Sequence, residues 1–543
     1  MVDNENEGTE EGWSKRIDEL TNKEMIKPEQ NSAMKDMVNS PDKENLEVAK
    51  EIIKIKVENH LMVGLSEDQT NAFVKMLVFL NEPNTATDAD NAFVLKGYAG
   101  TGKTFLVKRI IEYITNTYPK RSIAITAPTN KAVRVLQADA PFNSDAGNES
   151  VFDDIFDGES RLTYSTIHKL LGLKEQITKK GEQLFKPDPK DKSDITKYKY
   201  LIVDEVSMLD DILCREILKF SGKVKIIFMG DPAQIPPVNR ADCIPFTNQT
   251  QYKFKRAELQ EIMRQNDGNP IIEAAFKIRN NLTMTQPIVK LKTNILADGK
   301  GVIFIDYETD KAMIKPFLNK YFNCIEFKED ANYCKVIAWK NDRVNFFNTL
   351  IREILYGKGV DPYVVGEKLI AGKSIFKENI GASKWENKWR VALNTSEEME
   401  IMDITLGTRK FSEGSYKLYS KIYKCEVRIY DPVDKSYIME NINIIHEDSH
   451  KEYMDLIKLS KDMALKAKDK RAWISYFNIL KWSANVSYNY AITAHKAQGS
   501  TYQNVLVLEE NLDDNPNTIE RNRIKYTAYS RPSNKLFILR KNQ

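Results

Sequence analysis

The stretch Gly97-Tyr98-Ala99-Gly100-Thr101-Gly102-Lys103-Thr104 restricts the possible folds more than any other part of the chain. It matches the P-loop pattern without a gap, and it lies between an apolar run, Ala92–Leu95, and a helical stretch, Phe105–Tyr113. A glycine-rich loop between strand and helix can turn successive backbone N–H groups inward around phosphate oxygens at the helix N-terminus. Three further short apolar runs follow, Ser122–Ile125, Tyr200–Val203 and Val224–Phe228, with helical segments between some of them. This alternation predicts an α/β fold, a parallel sheet covered by helices. A second set, Val302–Ile305, Lys335–Ala338, Val505–Leu508 and Leu536–Leu539, predicts a second such sheet.

The region 361–484 interrupts that second set. Val364–Ile445 holds short alternating segments, such as Lys424–Ile429 and Tyr437–Ile444, which suggest a small antiparallel barrel. Glu447–Lys481 is helical in pattern and rich in lysine. The economical arrangement is an insertion inside a second α/β domain, and a length of 543 residues suits three or four domains at ~100–200 residues each.

Composition sets the limits. With 42% hydrophobic and 10% aromatic residues, the chain can fill several cores, and wholesale disorder is excluded. The net charge of +3 does not by itself point to nucleic acid, so any such footprint must be a local patch. Cys214, Cys243, Cys324, Cys334 and Cys425 are scattered, which reads as reduced, intracellular and metal-free. No run approaches ~18 apolar residues, so a soluble, cytoplasmic protein with no membrane partner is expected. Residues 1–48 carry 13 acidic against 6 basic side chains. They read as part of a flexible acidic extension over 1–62, with one short helix near Trp13–Leu20.

The chemistry expected at the loop is nucleotide binding with ATP and Mg²⁺. Gly97, Ala99, Gly100, Thr101 and Gly102 supply the cradle, Lys103 neutralises the β- and γ-phosphates, and Thr104 holds the metal. Asp204-Glu205 directly follows the apolar strand Tyr200–Val203. A carboxylate at the end of a buried strand can reach the same Mg²⁺, which gives Asp204 that role, and Glu205 is suited to polarise an attacking water.

Further motifs follow in order: Leu65-Ser66-Glu67-Asp68-Gln69, Thr126-Ala127-Pro128-Thr129-Asn130-Lys131-Ala132, Ser165-Thr166-Ile167-His168 and Asp204-Glu205-Val206-Ser207-Met208. Gly230-Asp231-Pro232-Ala233-Gln234-Ile235-Pro236-Pro237, Leu259-Gln260-Glu261-Ile262-Met263-Arg264, Ala494-His495-Lys496-Ala497-Gln498-Gly499-Ser500-Thr501 and Tyr526-Thr527-Ala528-Tyr529-Ser530-Arg531 complete the series. Over most of Leu65–Arg540 the set resembles the superfamily 1 helicases of class B, in particular the RecD-like and phage Dda-type enzymes. The resemblance implies an ATP-driven 5′→3′ DNA helicase with two RecA-like domains. These are 63–280, with a pin insertion at about 171–197, and 281–360 joined to 485–543; an SH3-like barrel with a helical segment spans 361–484.

It further implies that Gln69 reads adenine, Gln234 senses the nucleotide state, Arg264 and Arg531 are arginine fingers, and Gly499 belongs to the nucleotide site. Pro128, Thr129, Thr166 and His168 would hold single-stranded DNA on one side, and Asn341, His495 and Ser500 on the other. Family members commonly read Ala-Leu-Thr-Arg-Ala-Arg in the last motif, where this chain has Ala-Tyr-Ser-Arg-Pro-Ser; the finger is kept and the following basic residue is lost.

Lys174–Phe185 reads as a hairpin with Gly181 in its turn, in a position resembling the family's strand-separation pin. Phe185 is either a wedge at or near the tip, binding DNA, or an aromatic that anchors the hairpin. The lysine-rich helices could brace the pin, guide a displaced strand, or simply face solvent. Single-stranded DNA and duplex junctions are the implied partners, with replication or recombination proteins beside them, and the Dda likeness suggests a phage-encoded monomer. Two other readings stand beside helicase: a translocase that strips proteins without unwinding, and a nonmotor NTP-dependent switch or clamp subunit.

Overall fold

The computed structural model describes residues 54–83, 92–117, 122–138, 162–187, 193–237, 242–247, 252–262, 268–285, 292–379 and 388–540, together with Thr21 and Lys35. The expected helix near Trp13–Leu20 lies outside the described residues.

The first half contributes β1 (Ala92–Gly97), β2 (Ile123–Ala127), β3 (Leu162–Thr166), β4 (Leu173–Ile177), β5 (Gln183–Pro187), β6 (Tyr200–Val203), β7 (Lys225–Gly230) and β8 (Lys255–Leu259). Six of these form a sheet in the order β3-β2-β6-β7-β1-β8, and every pairing in it is parallel. Alternation along β1 builds a core on each face. Phe93 and Leu95 pack with Leu106, Ile110 and Ile114 of the helix Lys103–Thr117, while Ala92 and Val94 pack with Leu213, Cys214 and Ile217 of the helix Asp211–Leu218. The expected strands correspond to β1, β2, β6 and β7. Residues 54–62, assigned by sequence to the extension, are helical, and Val57 and Leu61 are fully buried in the first of these cores.

The second half contributes β9 (Asn294–Ile295), β10 (Gly301–Asp306), β11 (Cys334–Ala338), β12 (Lys368–Ala371), β13 (Ile375–Glu378), β14 (Trp389–Leu393), β15 (Glu398–Glu413), β16 (Tyr416–Asp431) and β17 (Ser436–Ile445). β18 (Val486–Tyr488), β19 (Ala491–Thr493), β20 (Tyr502–Leu508) and β21 (Pro532–Arg540) complete it. A second six-stranded sheet runs β19-β11-β20-β21-β10-β9, parallel except for the β9 edge. Along β20, Val505 and Val507 face one core, and Leu506 and Leu508 face the other. The helix Pro270–Arg279, which the sequence assigned to the first domain, buries Ile271, Ala274, Ala275 and Ile278 in the core of this second sheet.

Between β11 and β19 the chain builds a five-stranded antiparallel sheet, β17-β16-β15-β12-β18, and a separate β13-β14 ribbon. This sheet stands where the SH3-like barrel is expected: β17 and β18 are its outer strands, and Ala484 N, just before β18, donates to Asn443 O of β17 at 2.7 Å. β15 and β16 are 16 residues each, longer than their neighbours, so their hairpin projects beyond the sheet. There Phe411, Leu418 and Ile422 pack with Tyr453, Ile479 and Trp482 of a helical pair, Glu447–Ala467 and Lys470–Leu480, and the segment after it. None of the described helices is long and apolar enough to cross a membrane.

Candidate active site and nucleic-acid interface

Because the first sheet is parallel, the loops leaving its strands share one edge, the usual place for ligands in such sheets. In sheet order they carry Thr166 and His168 after β3, Pro128 and Thr129 after β2, Asp204-Glu205 after β6, Asp231 to Gln234 after β7, and the glycine loop after β1. The expected nucleotide residues therefore occupy one half of the edge and the expected nucleic-acid residues the other.

In the loop, Gly100 (φ 85°) and Gly102 (φ 76°) adopt left-handed backbone conformations that side chains resist. A Cβ at Gly97 would lie 2.6 Å from Lys103 Cγ. Lys103 Nζ donates to the carbonyl oxygens of Gly97 (2.6 Å) and Tyr98 (3.1 Å), bonds that a phosphate would replace. Thr101 is fully buried. Gln69 lies against the loop. It is 1% exposed; its Oε1 accepts from Ser66 N (3.1 Å) in a capping box, and its Nε2 donates to Thr101 O (3.1 Å). One end of the amide caps its own helix, Glu67–Asn81, and the other fastens that helix to the loop, and each end keeps one further hydrogen-bonding position for a base edge.

Asp204 and Glu205 are adjacent at the end of β6, and Asp204 Oδ1 accepts from Glu205 N at 2.8 Å. Burial and then Glu205 raise the Asp204 carboxyl above its ordinary range; burial raises Glu205 too, against the charges of Arg531 and Lys103. Glu205 also takes a left-handed conformation (φ 49°), a strained backbone typical of working sites. Thr104 and Asp204 line one small cavity. A hydroxyl and two neighbouring half-buried carboxylates form a hard-oxygen donor set whose charge favours a divalent cation, so these residues fit Mg²⁺. Gly499 stands beside them: a Cβ there would lie 3.9 Å from Glu205 Oε1.

Hydrogen bonds from residues of the expected motifs cross from this edge to the second half of the chain, and Arg523 pairs with Asp242 (2.6 Å) beside them. Asp231 Oδ2 accepts from Tyr526 OH (2.6 Å) and from Ala99 N (3.0 Å) of the loop. Gln498 Nε2 donates to Gln234 Oε1 (3.2 Å), Ser207 Oγ (3.2 Å) and Ile235 O (3.3 Å). Arg531, 7% exposed, donates to Thr527 O (2.9 Å), Ser500 O (3.1 Å) and Ser530 Oγ (2.9 Å), while its charge acts on Glu205. Arg264 lies outside the described residues. Sequence reasoning quoted Tyr526 and Gln498 inside motifs but gave them no role. Tyr526 sits in a helix run buried from Asn522 to Tyr529 and so looks like core; its only polar signal is a hydroxyl needing a buried partner.

A third contact was missed altogether. Lys131 Nζ pairs with Glu398 Oε1 at 2.5 Å and Arg134 pairs with Glu397, joining the helix Asn130–Ala138 to the start of β15. Glu398 also receives Asn489 Nδ2 (2.7 Å) and Lys335 Nζ (3.5 Å), the latter fully buried.

On the other half of the edge, Thr129 Oγ1 accepts from Ala132 N (3.2 Å) and Thr166 Oγ1 from Lys169 N (3.4 Å), so both hydroxyls cap helices. Pro128 is half-buried. His168 meets Phe185 edge-on, with ring centroids 4.8 Å apart. Burial holds the imidazoles of His168 and His495 below their ordinary range, against Asp210 and Glu520 respectively, so both are neutral at pH 7. Asn341 is exposed at the start of its helix after β11, and Ser500 is 5% exposed.

The hairpin is present as β4–β5, with Gly181 (φ 85°) in its turn. Phe185 is not at its tip: it pairs with Glu175, whereas Ile177 and Gln183 close the ladder next to the turn. Strand alternation directs it toward His168, and it remains 52% exposed. The tip itself is held by the inserted helices. Trp473 Nε1 donates to Lys179 O (3.1 Å), and its ring lies so close to Gly181 that a Cβ there would be 2.5 Å away.

Residues 82–294 match the family model described as an AAA domain, and 488–539 match that of a UvrD-like helicase C-terminal domain. The chain is 28% identical to the ATP-dependent DNA helicase dda of Enterobacteria phage T4, over 82% of this chain and 92% of that one. It is 26% identical to an uncharacterized protein of Acanthamoeba polyphaga mimivirus, over 85% and 97%. The RecBCD enzyme subunit RecD of Buchnera aphidicola subsp. Schizaphis graminum is 26% identical, over 83% and 70%. Among solved structures, the Pif1 helicase from Candida albicans is similar with a TM-score of 0.42 and 16% identity, over 89% of this chain and 96% of that chain.

Proposed function

We propose that this chain, which belongs to the superfamily 1 class B helicases, hydrolyses ATP to travel 5′→3′ along single-stranded DNA and to part the duplex ahead of it. The observation that carries the reading is the pair of bridges between the two sheets at the nucleotide loop, Asp231–Tyr526 and Gln234–Gln498. A site strung between two bodies is one whose chemistry can move them.

In this reading Lys103 and the loop amides bind the phosphates. Thr104 and Asp204 would hold Mg²⁺, which would supply positive charge to offset that of the phosphates. Glu205, at the end of β6, orients the attacking water. Arg531 from the second sheet and Arg264 offset the charge that develops during transfer. Closure of the cleft brings the arginines to the nucleotide, and its reopening shifts Asn341, His495 and Ser500 relative to Pro128, Thr129, Thr166 and His168. Hydroxyls, amides and neutral rings suit gripping a backbone without reading bases. Phe185 with His168 offers an aromatic step on which a base can stack. The β4–β5 hairpin then acts as the separating pin, and its attachment to Trp473 supports a stiff wedge.

The test is unwinding of two partial duplexes, one with a 5′ and one with a 3′ single-stranded tail, with Lys103→Ala as the inactive control. Unwinding from the 5′ tail alone is expected. Unwinding only from the 3′ tail overturns the polarity, and DNA-stimulated hydrolysis with no unwinding of either favours the protein-stripping translocase.

A further inference from the structure

The helix Thr518–Tyr529 carries Arg531 just past its C-terminal end; ion pairs of Arg523 with Asp242 (2.6 Å) and of Lys525 with Asp513 (2.7 Å) hold it, and two hydroxyls near its end add to them. Tyr529 OH donates to Glu509 Oε1 (2.7 Å), which ties the helix to its own sheet. Tyr526 OH points the other way, across the cleft, and donates to Asp231 Oδ2 (2.6 Å) after β7. Asp231 is held by its other oxygen, which accepts from Ala233 N at 2.9 Å. Ala99 N, in the glycine loop, lies 3.0 Å from both the shared carboxylate oxygen and the tyrosine hydroxyl. With Asp231 fully buried and Tyr526 2% exposed, water does not compete for these bonds, and a hydrogen bond to a carboxylate is strong in such surroundings. Tyr526 precedes Arg531 by about one and a half helical turns, so the point where the helix is tied to the nucleotide loop lies close to the arginine.

We propose that Tyr526 is a positioning residue that sets Arg531 in register with the nucleotide loop through its bond to Asp231. The inference rests on the helicase reading, in which Arg531 is a finger. Among the described residues, the hydrogen bonds of Arg531 go to Thr527, Ser530 and Ser500, all in its own half of the chain. Its place relative to the phosphates therefore depends on how the helix is held against the first sheet. Ala99 N makes that hold responsive to nucleotide, because a phosphate oxygen drawn to this amide competes with the Asp231–Tyr526 pair for it.

The experiment compares affinity for ADP with affinity for ADP plus aluminium fluoride, a mimic of the transferring phosphoryl group, in the full chain with Mg²⁺. Tyr526→Phe removes the hydroxyl and keeps the ring. Expected are ADP affinity and ATP KM within about twofold of the unaltered protein, and about tenfold losses in kcat and in ADP–aluminium fluoride affinity. A melting temperature within about 2 °C shows that the fold is kept. Asp231→Asn, which keeps an acceptor but lowers its strength, should shift the same ratio in the same direction. Because Tyr526 acts through Arg531, the double variant with Arg531→Ala should bind the mimic no more weakly than Arg531→Ala alone. Equal loss for both ligands, additive losses in the double variant, or an unchanged mimic affinity in folded Tyr526→Phe each overturn the proposal. If the unaltered protein binds ADP no better than Lys103→Ala does, the nucleotide reading itself falls, and the inference with it.

Discussion

At the scale of single residues, the site stores unfavourable charge. Asp204 and Glu205 are neighbouring half-buried carboxylates, offset by Lys103 and Arg531 from the two sides of the cleft. A carboxyl whose pKa is raised on folding destabilises the fold once the pH exceeds its unfolded value. Glu205→Gln is therefore expected to raise stability at pH 7 by about 1 kcal/mol in EDTA, read by thermal unfolding, while hydrolysis falls roughly 10²–10⁴-fold. A lowered melting temperature would contradict this account.

Glu398 is the opposite case. Burial alone would raise its carboxyl, but Lys131, Lys335 and the hydrogen bonds from Lys131 and Asn489 outweigh burial and hold it well below the usual range. Its contribution is present above the unfolded pKa, about 4.3, and is lost as the pH falls below that. Glu398→Gln leaves Lys335 buried without its counter-charge. We expect a cost of roughly 3 kcal/mol at pH 7 that shrinks toward pH 3, measured by urea unfolding at both values.

At the scale of elements, the hairpin and the inserted helices act as one part. The turn at Gly181 needs a positive φ and also lies against the Trp473 ring, so glycine is required for two independent reasons. Gly181→Ala should detach the tip from the helix Lys470–Leu480, and Trp473→Ala should remove the opposing ring and the Lys179 hydrogen bond. Both variants are predicted to lose most fork unwinding while DNA-stimulated ATP hydrolysis stays within about twofold. Loss of both activities together would show that the contact supports the fold rather than the wedge. Phe185→Ala, remote from the tip, should instead weaken single-strand binding, measured by anisotropy, by about 1–3 kcal/mol if a base stacks there.

At the scale of the whole molecule, the first sheet is joined to the rest at separated points. Near the nucleotide loop the joints are Asp231–Tyr526 and Gln234–Gln498, and the ion pair Asp242–Arg523 reaches the same helix as Tyr526; elsewhere Lys131 and Arg134 meet Glu398 and Glu397 at the root of the insertion. Arg134→Glu should loosen the second kind of joint and enlarge the radius of gyration in small-angle scattering, and the exchanged pair Arg134→Glu with Glu397→Arg should restore it. Failure of the exchange to restore compactness would mean that the pair does not hold the bodies together.

The sequence by itself determined the central strands, the nucleotide loop and the order of the motifs, because these are local. A buried parallel strand is a short apolar run, and a phosphate cradle is a fixed spacing of glycines before a helix. β3, β8, β9 and β19 escaped notice because all four are sheet edges, paired on one side only, and can be polar or short, as Lys-Arg-Ala-Glu-Leu in β8 illustrates. Val57 and Leu61 went unread because the acidic stretch before them, 1–48, was extended to residue 62. Gln69 was legible as part of a motif, yet how its amide is used depends on Ser66 and Thr101, which only folding brings to it. The same holds for Phe185, whose position in the hairpin is set by strand register, and for Tyr526, Gln498, Trp473 and Glu398. Each of these four has a partner 264 to 295 residues away across the cleft or the insertion. Competition for a buried hydrogen bond is settled by the groups that meet in space, and no spacing along the chain records which they are.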